Sequence, residues 1–320
     1  MRQILSLTCA FLCVLAGFGA AAAAGYRVPR TASGQPDLQG TWSNASLTML
    51  ERPAVFTALV VPDVQAKAFE AAQDGTPNLP NDQIGQNATE WWDRGSTLGR
   101  LEGQARSSWL IDPADGRLPF SPAGAKALQT AQAANLSNFD GPEARPTAER
   151  CLLGLAGTTG APLLNGPYNN HYQIVQTADH VVIVAEMNHD VRIIPLRAAR
   201  PAFEARSWSG VSTGRWEGES LVVETRSFHP ASGWRPPLRV YLSPDARVTE
   251  RFTRTSANEI RYEFAVDDPA IFTRTWRGEM PIRRTAAPIY EFACHEGNYS
   301  LTGVLAGGRQ KEREAREGAK

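Results

Sequence analysis

From residue 168 onward the chain alternates turns with short runs of β-branched and aromatic residues, and this pattern constrains the fold more than any other feature. It predicts eight strands, over residues 172–177, 181–187, 191–195, 210–216, 220–226, 247–255, 259–266 and 272–284. Most are joined by short turns, which predicts an antiparallel meander. A sheet of that size removes its open edges by closing into a barrel or by stacking in two layers. We therefore expect a mainly β fold, either a β-barrel or a β-sandwich.

A motif near residue 40 favours the barrel. Residues 37–42 read DLQGTW, and Gly40 with Trp42 resembles the first strand of lipocalin-like barrels, in which the Trp closes one end. Glycine allows a close approach to the backbone, and an indole buries a large apolar surface. The resemblance implies a lipocalin-like β-barrel for the strand-rich part of the chain.

Composition divides the chain into three parts. Residues 1–24 carry one basic residue, Arg2, then an apolar run and small residues, which is typical of a secretory signal peptide. Residues 25–150 are rich in turn signals, with helices predicted over 63–73 and 122–136, and we expect them to wrap the core. Residues 151–320 form the predicted antiparallel β domain, with a polar tail from about residue 309.

Charge and hydropathy narrow the choice of partners. The 33 basic and 33 acidic residues balance, whereas a protein that follows nucleic-acid phosphates needs a surplus of Lys and Arg. After the signal peptide no apolar run is long enough for a membrane span, so we expect no integral membrane segment once it is cleaved. We predict a periplasmic or secreted protein whose partner is a small molecule, not a nucleic acid.

Two cysteines, Cys151 and Cys294, remain after the predicted signal peptide is removed. In an oxidising compartment a pair so far apart in sequence most often forms one bridge. The competing interpretation, a catalytic or metal-binding thiolate, lacks a C-x-x-C partner. We predict a disulfide that links the start of the strand-rich region to its end.

Several segments together resemble a widespread family of exported bacterial proteins. The resemblance is carried by residues 36–42 (PDLQGTW), 168–176 (YNNHYQIVQ), 189–195 (HDVRIIP), 214–225 (GRWEGESLVVET), 250–254 (ERFTR) and 294–299 (CHEGNY). These segments span nearly all of the predicted mature chain. The resemblance implies export and a shared architecture but supplies no activity, so the functional interpretation rests on individual residues.

Signatures of the common nucleotide, zinc and hydrolase enzymes are absent from the sequence. It contains no G-x-G-x-x-G or P-loop, no H-E-x-x-H and no G-x-S-x-G nucleophile elbow. We therefore expect no cofactor. The five histidines become the most informative polar residues.

Hairpin geometry predicts which side chains meet near residues 188–190. A preceding turn centred on residue 179 places Asn169 opposite His189. The same turn places Glu186 opposite Tyr172. A following turn centred on residue 189 places Glu186 opposite Arg192, as a cross-strand ion pair.

His189 and Asp190 would carry the chemistry at this tip. A histidine beside a carboxylate acts as a general base, and the carboxylate fixes its tautomer. The alternative is that residues 188–190 are only a hairpin turn. The Glu186–Arg192 pair would then be a surface ion pair that contributes under about 1 kcal/mol.

Residues 294–299 form a second polar constellation. The predicted disulfide would hold in place four polar side chains, His295, Glu296, Asn298 and Tyr299. Rigid support of this kind is what a catalytic or binding site requires. The alternative is a polar strand end, stitched by the bridge, in which residues 297 and 298 form a turn.

These constellations predict a cofactor-independent acid–base enzyme, a lyase, isomerase or hydrolase, acting on a small apolar or aromatic molecule in the barrel. His189 would be the general base, oriented by Asp190, and His295 with Glu296 would supply the acid or polarising group. The predicted binding residues are Asn169, Tyr172, Glu186, Arg192, Trp216, Asn298 and Tyr299.

Two alternatives remain open on the sequence. In one, His189, His295 and Glu296 hold a divalent metal ion through nitrogen and oxygen ligands. In the other, the protein is a periplasmic carrier whose barrel binds a small hydrophobic ligand without changing it, because a barrel of about eight strands has room for one such ligand.

Overall fold

The structure, a computed structural model, describes residues 26–73, 94–196 and 206–318. The predicted signal peptide, residues 1–24, lies outside these residues. Residues 25–150 contribute five short strands and two helices: β1 (Gly40–Ser43), β2 (Val60–Val61), α1 (Asp63–Gln73), β3 (Arg100–Leu101), β4 (Gln104–Arg106), β5 (Leu110–Asp112) and α2 (Pro122–Ser137). Both helices lie where the capping and stop signals place them, and Ser121 accepts a hydrogen bond from Gly124 N as the N-cap of α2.

The rest of the chain supplies all eight predicted strands and a terminal helix. They are β6 (His171–Gln176), β7 (His180–Ala185), β8 (Val191–Pro195), β9 (Val211–Glu217), β10 (Ser220–Arg226), β11 (Arg247–Ser256), β12 (Glu259–Asp267), β13 (Trp276–Arg284) and α3 (Ser300–Gly318). β13 begins later than predicted because Phe272 instead forms an isolated antiparallel bridge with Phe120. The ring centroids of these two residues are 4.9 Å apart.

Nine strands form a nearly closed antiparallel barrel in the order β8-β7-β6-β1-β13-β12-β11-β10-β9. β1 lies between the two meanders, so residues 25–150 contribute a barrel strand as well as a wrapping segment. An odd number of alternating strands leaves the two end strands parallel. Leu196 and Gly214 accordingly form a parallel bridge between the β8 and β9 ends. The mainly β prediction, with the barrel preferred to the sandwich, is confirmed.

Alternation along the strands places one continuous core inside the barrel. β12 buries every second residue from Ile260 to Val266, as expected for a strand with one face on a core. Trp42 is fully buried, its indole Nε1 donates to Leu38 O at 2.9 Å, and the guanidiniums of Arg254 and Arg284 lie 5.6 and 5.5 Å from its ring centroid. Large aromatic side chains thus fill the interior.

Gly40 confirms the close approach expected of the motif. Its φ is +133°, and a Cβ built there would lie 3.1 Å from a guanidinium nitrogen of Arg284. A side chain at residue 40 would therefore displace the arginine that stacks on Trp42.

Residues 157–164 enter the barrel and are almost entirely buried; we call them the plug. Thr158, Thr159 and Leu163 are each at most 1% exposed. The plug is anchored through its backbone: Tyr172 Oη donates to Thr158 O, and Leu163 N donates to Tyr262 Oη, each at 2.8 Å. The barrel interior is therefore occupied by the plug as well as by side chains.

The predicted polar tail from about residue 309 is the second half of α3. The helix packs near its middle, where a Cβ on Gly308 would lie 2.5 Å from Phe139 Cβ, and Arg309 donates to Asp140 O at 2.5 Å. Among the described residues, no helix is long and apolar enough to cross a membrane.

Candidate functional site

The disulfide prediction is confirmed. The sulfurs of Cys151 and Cys294 are 1.94 Å apart and their Cα atoms 5.8 Å apart. The bridge ties residues 294–299 to the stretch just before the plug. Asn298 strengthens this attachment, since its Nδ2 donates to Glu149 O at 2.8 Å.

The predicted dyad of His189 and Asp190 does not form as a hydrogen-bonded pair. His189 is exposed, and its Nδ1 lies 3.1 Å from Phe292 O. Asp190 is partly buried, and its Oδ1 accepts from Asn188 Nδ2 at 3.4 Å. Burial raises the pKa of Asp190, against smaller lowering contributions that begin with Asn188. The imidazole is therefore held by a backbone carbonyl and not by the neighbouring carboxylate.

The other two catalytic candidates, His295 and Glu296, are exposed side chains. Tyr299, a predicted binding residue, is 85% exposed at the start of α3. His189 is linked to this part of the chain through a hydrogen bond to the Phe292 backbone carbonyl. In the described part of the chain, no group of three or more His, Cys, Asp or Glu side chains could hold a metal ion, so the metal alternative has no ligand set there.

A histidine–carboxylate pair does form, but between His171 and Glu186 and not between His189 and Asp190. His171 Nδ1 lies 2.8 Å from Glu186 Oε2, and Asn169 Nδ2 donates to Glu186 Oε1 at 2.8 Å. Glu186 is 3% exposed. Such a pair has the composition of a general base with its orienting carboxylate. Asn169 and Glu186 are thus brought together, but around His171 and not His189.

The register of the β6–β7 hairpin explains why Glu186 does not lie opposite Tyr172, as predicted. Tyr172 pairs with Ala185, and not with Glu186, because Thr177 N bonds to His180 O and the turn is one residue shorter than predicted. A shift of one residue exchanges the two faces of a strand. Glu186 consequently lies across from His171, whose carbonyl accepts from Glu186 N at 2.9 Å.

The predicted Glu186–Arg192 ion pair is wrong. Arg192 lies opposite Ile183 and points into the barrel, where its guanidinium binds both carboxylate oxygens of Glu250 at 2.5 and 3.1 Å. Tyr262 Oη also donates to Glu250, at 2.8 Å. Residues 187–189 form a short 3-10 turn, which makes this connection longer than a hairpin centred on His189.

This buried network shifts the ionisation of its members. Burial, the largest single contribution, lowers the pKa of Arg192, but the Glu250 charge, the hydrogen bonds to Glu250 and the nearby Tyr262 and Tyr172 together more than compensate, so the net shift is upward. Burial, and then the Glu250 charge, raise the pKa of Tyr262 well above its usual range. Burial also raises the pKa of Tyr172. The tyrosines therefore remain neutral hydrogen-bonding groups at physiological pH.

The remaining predicted binding residues pack against or inside the core. Tyr172 is 1% exposed, and besides its bond to the plug it accepts a hydrogen bond from Asn44 Nδ2 at 3.3 Å. Trp216 is partly buried and packs against the core. Both belong to the packed interior and wall of the barrel.

A cavity of about 600 Å³ lies between the N-terminal segment and the end of the plug; we call it the mouth cavity. Its lining includes the apolar side chains Leu47, Leu50, Phe69, Leu164 and Leu238 and the polar side chains Asn165 and Arg94. None of the predicted site residues is among those that line it. No sequence pattern indicates this cavity, because its walls come from five separate stretches of chain, residues 46–53, 69–73, 94, 164–167 and 237–238.

Asn165 shapes the polar side of the mouth cavity. Its Oδ1 accepts from Trp109 Nε1 at 2.7 Å, and its Nδ2 donates to the carbonyls of Ser46 and Thr48 at 2.9 and 3.1 Å. These bonds connect the N-terminal segment to the residue that directly follows the plug, so the cavity wall is built by a fixed hydrogen-bonded junction.

A smaller cleft of about 210 Å³ lies beside the predicted turn. Asn188, Phe292, Tyr168 and Glu149 are among the residues that line it, whereas His189 and Asp190 are not. This cleft therefore does not bring the predicted catalytic pair to a ligand.

No known protein family, curated protein or solved structure matches this chain. The resemblances described from the sequence motifs therefore remain predictions, and the function must be argued from the geometry.

Proposed function

We propose that this is an exported protein that binds a small, largely apolar molecule in the mouth cavity. The observation that carries the proposal is the cavity itself, whose volume of about 600 Å³ falls within the range that holds one small organic ligand. The carrier interpretation is thus preferred to acid–base catalysis at His189. The reason is that neither His189 nor His295 lines this cavity.

The lining indicates the class of ligand. Leucine, phenylalanine, methionine and proline side chains dominate it, and no Asp or Glu is among its described lining residues. The polar lining residues are Ser46, Gln73, Arg94 and Asn165. Apolar walls with a few polar groups are the usual composition of small-molecule sites. Leu50 and Leu164 belong to the main core, so part of this wall is rigid.

Filling the cavity tests the proposal. The neutral fluorescent probe N-phenyl-1-naphthylamine should bind the wild-type protein, and medium-chain alcohols should displace it. Leu238→Trp, at a partly buried lining residue, should weaken binding at least about tenfold because the indole occupies ligand space.

The matched control is Val175→Trp. Val175 is 40% exposed on the outer face of β6 and does not line the cavity, so probe affinity should remain at the wild-type value. Circular dichroism would verify that both variants fold. Absence of probe binding to the wild type, or equal binding by Leu238→Trp, would contradict the proposal.

A second candidate function is acid–base catalysis by His171. The observation that favours it is the 2.8 Å contact between His171 and the buried Glu186. A His171→Gln variant should lose any hydrolysis of p-nitrophenyl acetate that the wild type shows, while His189→Gln keeps it. The opposite result would favour His189 as the general base.

Export to the periplasm or the exterior is supported by the disulfide and by the predicted signal peptide. Mass spectrometry of the protein from a secreting host should show a mature chain that begins at Gly25. A cytosolic, uncleaved product would contradict it.

A further inference from the structure

One methionine in the described part of the chain is exposed to solvent. Met49 is 54% exposed, whereas Met187 and Met280 are 1% and 0% exposed. The fourth methionine of the sequence, Met1, lies outside the described residues. Oxidation of a thioether requires contact between the sulfur and the oxidant, so exposure decides which methionine reacts first. The structure therefore singles out Met49.

The two buried methionines are enclosed by packed neighbours. A Cβ built on Gly154 would lie 2.3 Å from Met187 Cγ, and Asn44 Nδ2 lies 3.9 Å from Met280 Sδ. Met280 belongs to the main core inside the barrel. Because interiors are close-packed, an oxygen atom on either sulfur would have to displace these neighbours. Both sulfurs are therefore protected while the protein is folded.

No thiol in the described part of the chain competes with Met49 for an oxidant. The two cysteines there, Cys151 and Cys294, are joined in a disulfide. A thiolate reacts with peroxides more readily than a thioether, but a bridged cysteine has no thiolate to offer. Met49 is therefore the first sulfur that a mild two-electron oxidant meets.

Met49 also lines the mouth cavity, beside the buried Leu50. The backbone of both residues is fixed to the neighbouring stretch, because Trp109 N donates to Met49 O at 2.9 Å and Leu110 N donates to Leu50 O at 3.0 Å. With the backbone held in this way, a chemical change at the Met49 side chain alters the cavity wall directly.

We propose that Met49 is an oxidation site that controls the affinity of the mouth cavity for its ligand. The control of affinity rests on the function proposed above for that cavity. The oxidant is a peroxide: a sulfur lone pair attacks one oxygen of hydrogen peroxide, the S–O bond forms and the O–O bond breaks. The transferred oxygen gives its proton to the departing hydroxide, which leaves as water. The sulfur is oxidised by two electrons, and the peroxide is reduced.

Oxidation changes the chemistry of the cavity wall. The methionine thioether is apolar, whereas the sulfoxide carries a polar oxygen. An apolar ligand that covers this oxygen removes its water without offering a hydrogen bond, and burying an unsatisfied polar group is unfavourable. We expect oxidation of Met49 to weaken binding of an apolar ligand by about fivefold.

Treating the whole protein with hydrogen peroxide tests the proposal. Mass spectrometry of proteolytic peptides gives the rate at which each methionine gains one oxygen atom, and Met49 should react at least about ten times faster than Met187 or Met280. The dissociation constant of N-phenyl-1-naphthylamine is then measured when Met49 is oxidised and the buried methionines are not. It should have risen by about fivefold.

Substitutions at residue 49 separate the effect of the sulfur from that of the position. Met49→Leu keeps an apolar side chain without sulfur, so it should bind the probe like the wild type and keep that affinity after peroxide treatment. Met49→Gln places a polar group there and should bind weakly without any oxidant. Val64→Gln is the matched control, because Val64 is 84% exposed on α1 and does not line the cavity. Its probe affinity should equal that of the wild type.

Three results would overturn the proposal. The first is an equal oxidation rate at Met49 and Met280. The second is an unchanged probe affinity once Met49 is oxidised. The third is an equal loss of affinity in peroxide-treated Met49→Leu, which would place the sensitive group elsewhere. An untreated wild type that binds no probe would contradict the function proposed for the cavity and, with it, the control of affinity. The oxidation rates would still decide whether Met49 is the reactive site.

Discussion

Two histidine–carboxylate regions flank the same short turn, and they differ in almost every physical respect. His171 and Glu186 meet at 2.8 Å, and the carboxylate is buried. His189 is exposed and bonded to the Phe292 carbonyl, and the adjacent Asp190 turns towards Asn188. His189 and Asp190 are adjacent in sequence but do not form a hydrogen-bonded pair. His171 and Glu186 do form one, because the strand register places them opposite each other.

The difference teaches that a carboxylate orients a histidine only where the backbone leaves both on one face. Glu186 and His171 lie across from each other at the end of the β6–β7 hairpin. Asn188 and His189 instead adopt φ values of +60° and +42°, which swing successive side chains apart. The positive φ values belong to the turn that also positions Glu186.

Removing the disulfide should have the largest effect and should affect only one of the two regions. The double variant Cys151→Ser and Cys294→Ser should lose about 2–5 kcal/mol of unfolding free energy, measured by urea denaturation. Hydrogen exchange should increase at residues 292–299, beside His189, because the bridge holds them. Faster exchange in β6 and β7 as well would show that the two regions are not separable.

Removing the buried carboxylate should come next. Glu186→Ala should cost about 2–3 kcal/mol, since His171 and Asn169 both lose their partner in a buried environment. Asp179→Ala is the matched control, because Asp179 contacts His180 at 3.1 Å but on the surface, and its loss of stability should be clearly smaller than that of Glu186→Ala. Equal losses would mean that burial adds nothing to the His171–Glu186 pair.

Most of the barrel could be predicted from the sequence, because alternation and turn residues report strand existence directly. α1 and α2 likewise follow from local capping signals. The pairing of Cys151 with Cys294 needed only the compartment and a count of two.

The candidate site could not be predicted to the same degree. One residue of turn length decided whether Glu186 met Tyr172 or His171. Arg192 of β8 pairs with Glu250 of β11, far along the chain, because both side chains point into the barrel. The plug, whose residues are mostly small or apolar, carries no local pattern that predicts insertion into a barrel.

A pH series separates the two aspartates beside the histidines. Because burial raises the pKa of Asp190 in the folded protein, its contribution is fully present below its unfolded pKa, about 4, and is lost as the pH rises through the folded pKa. The wild type should therefore lose stability relative to Asp190→Asn as the pH rises above about 4.

Asp179→Asn provides the opposite slope. Hydrogen bonding to His180, and then to Thr177, lowers the pKa of Asp179, so its contribution is lost as the pH falls through the folded pKa. Denaturation at several pH values would check both signs. Parallel curves for Asp190→Asn and the wild type would show that Asp190 is not significantly desolvated.

The smallest effect is expected at His189, and it decides what the exposed histidine does. His189→Gln removes only one exposed hydrogen bond, the one to Phe292 O, so unfolding free energy should change by less than about 0.5 kcal/mol. The Phe292 contact joins the turn to the disulfide-bonded segment, which already has the stronger Cys151–Cys294 link. In the double cysteine variant that link is gone, and the same substitution should then cost measurably more. A double-mutant cycle in which the two changes add without coupling would show that the His189–Phe292 contact does not hold the segment.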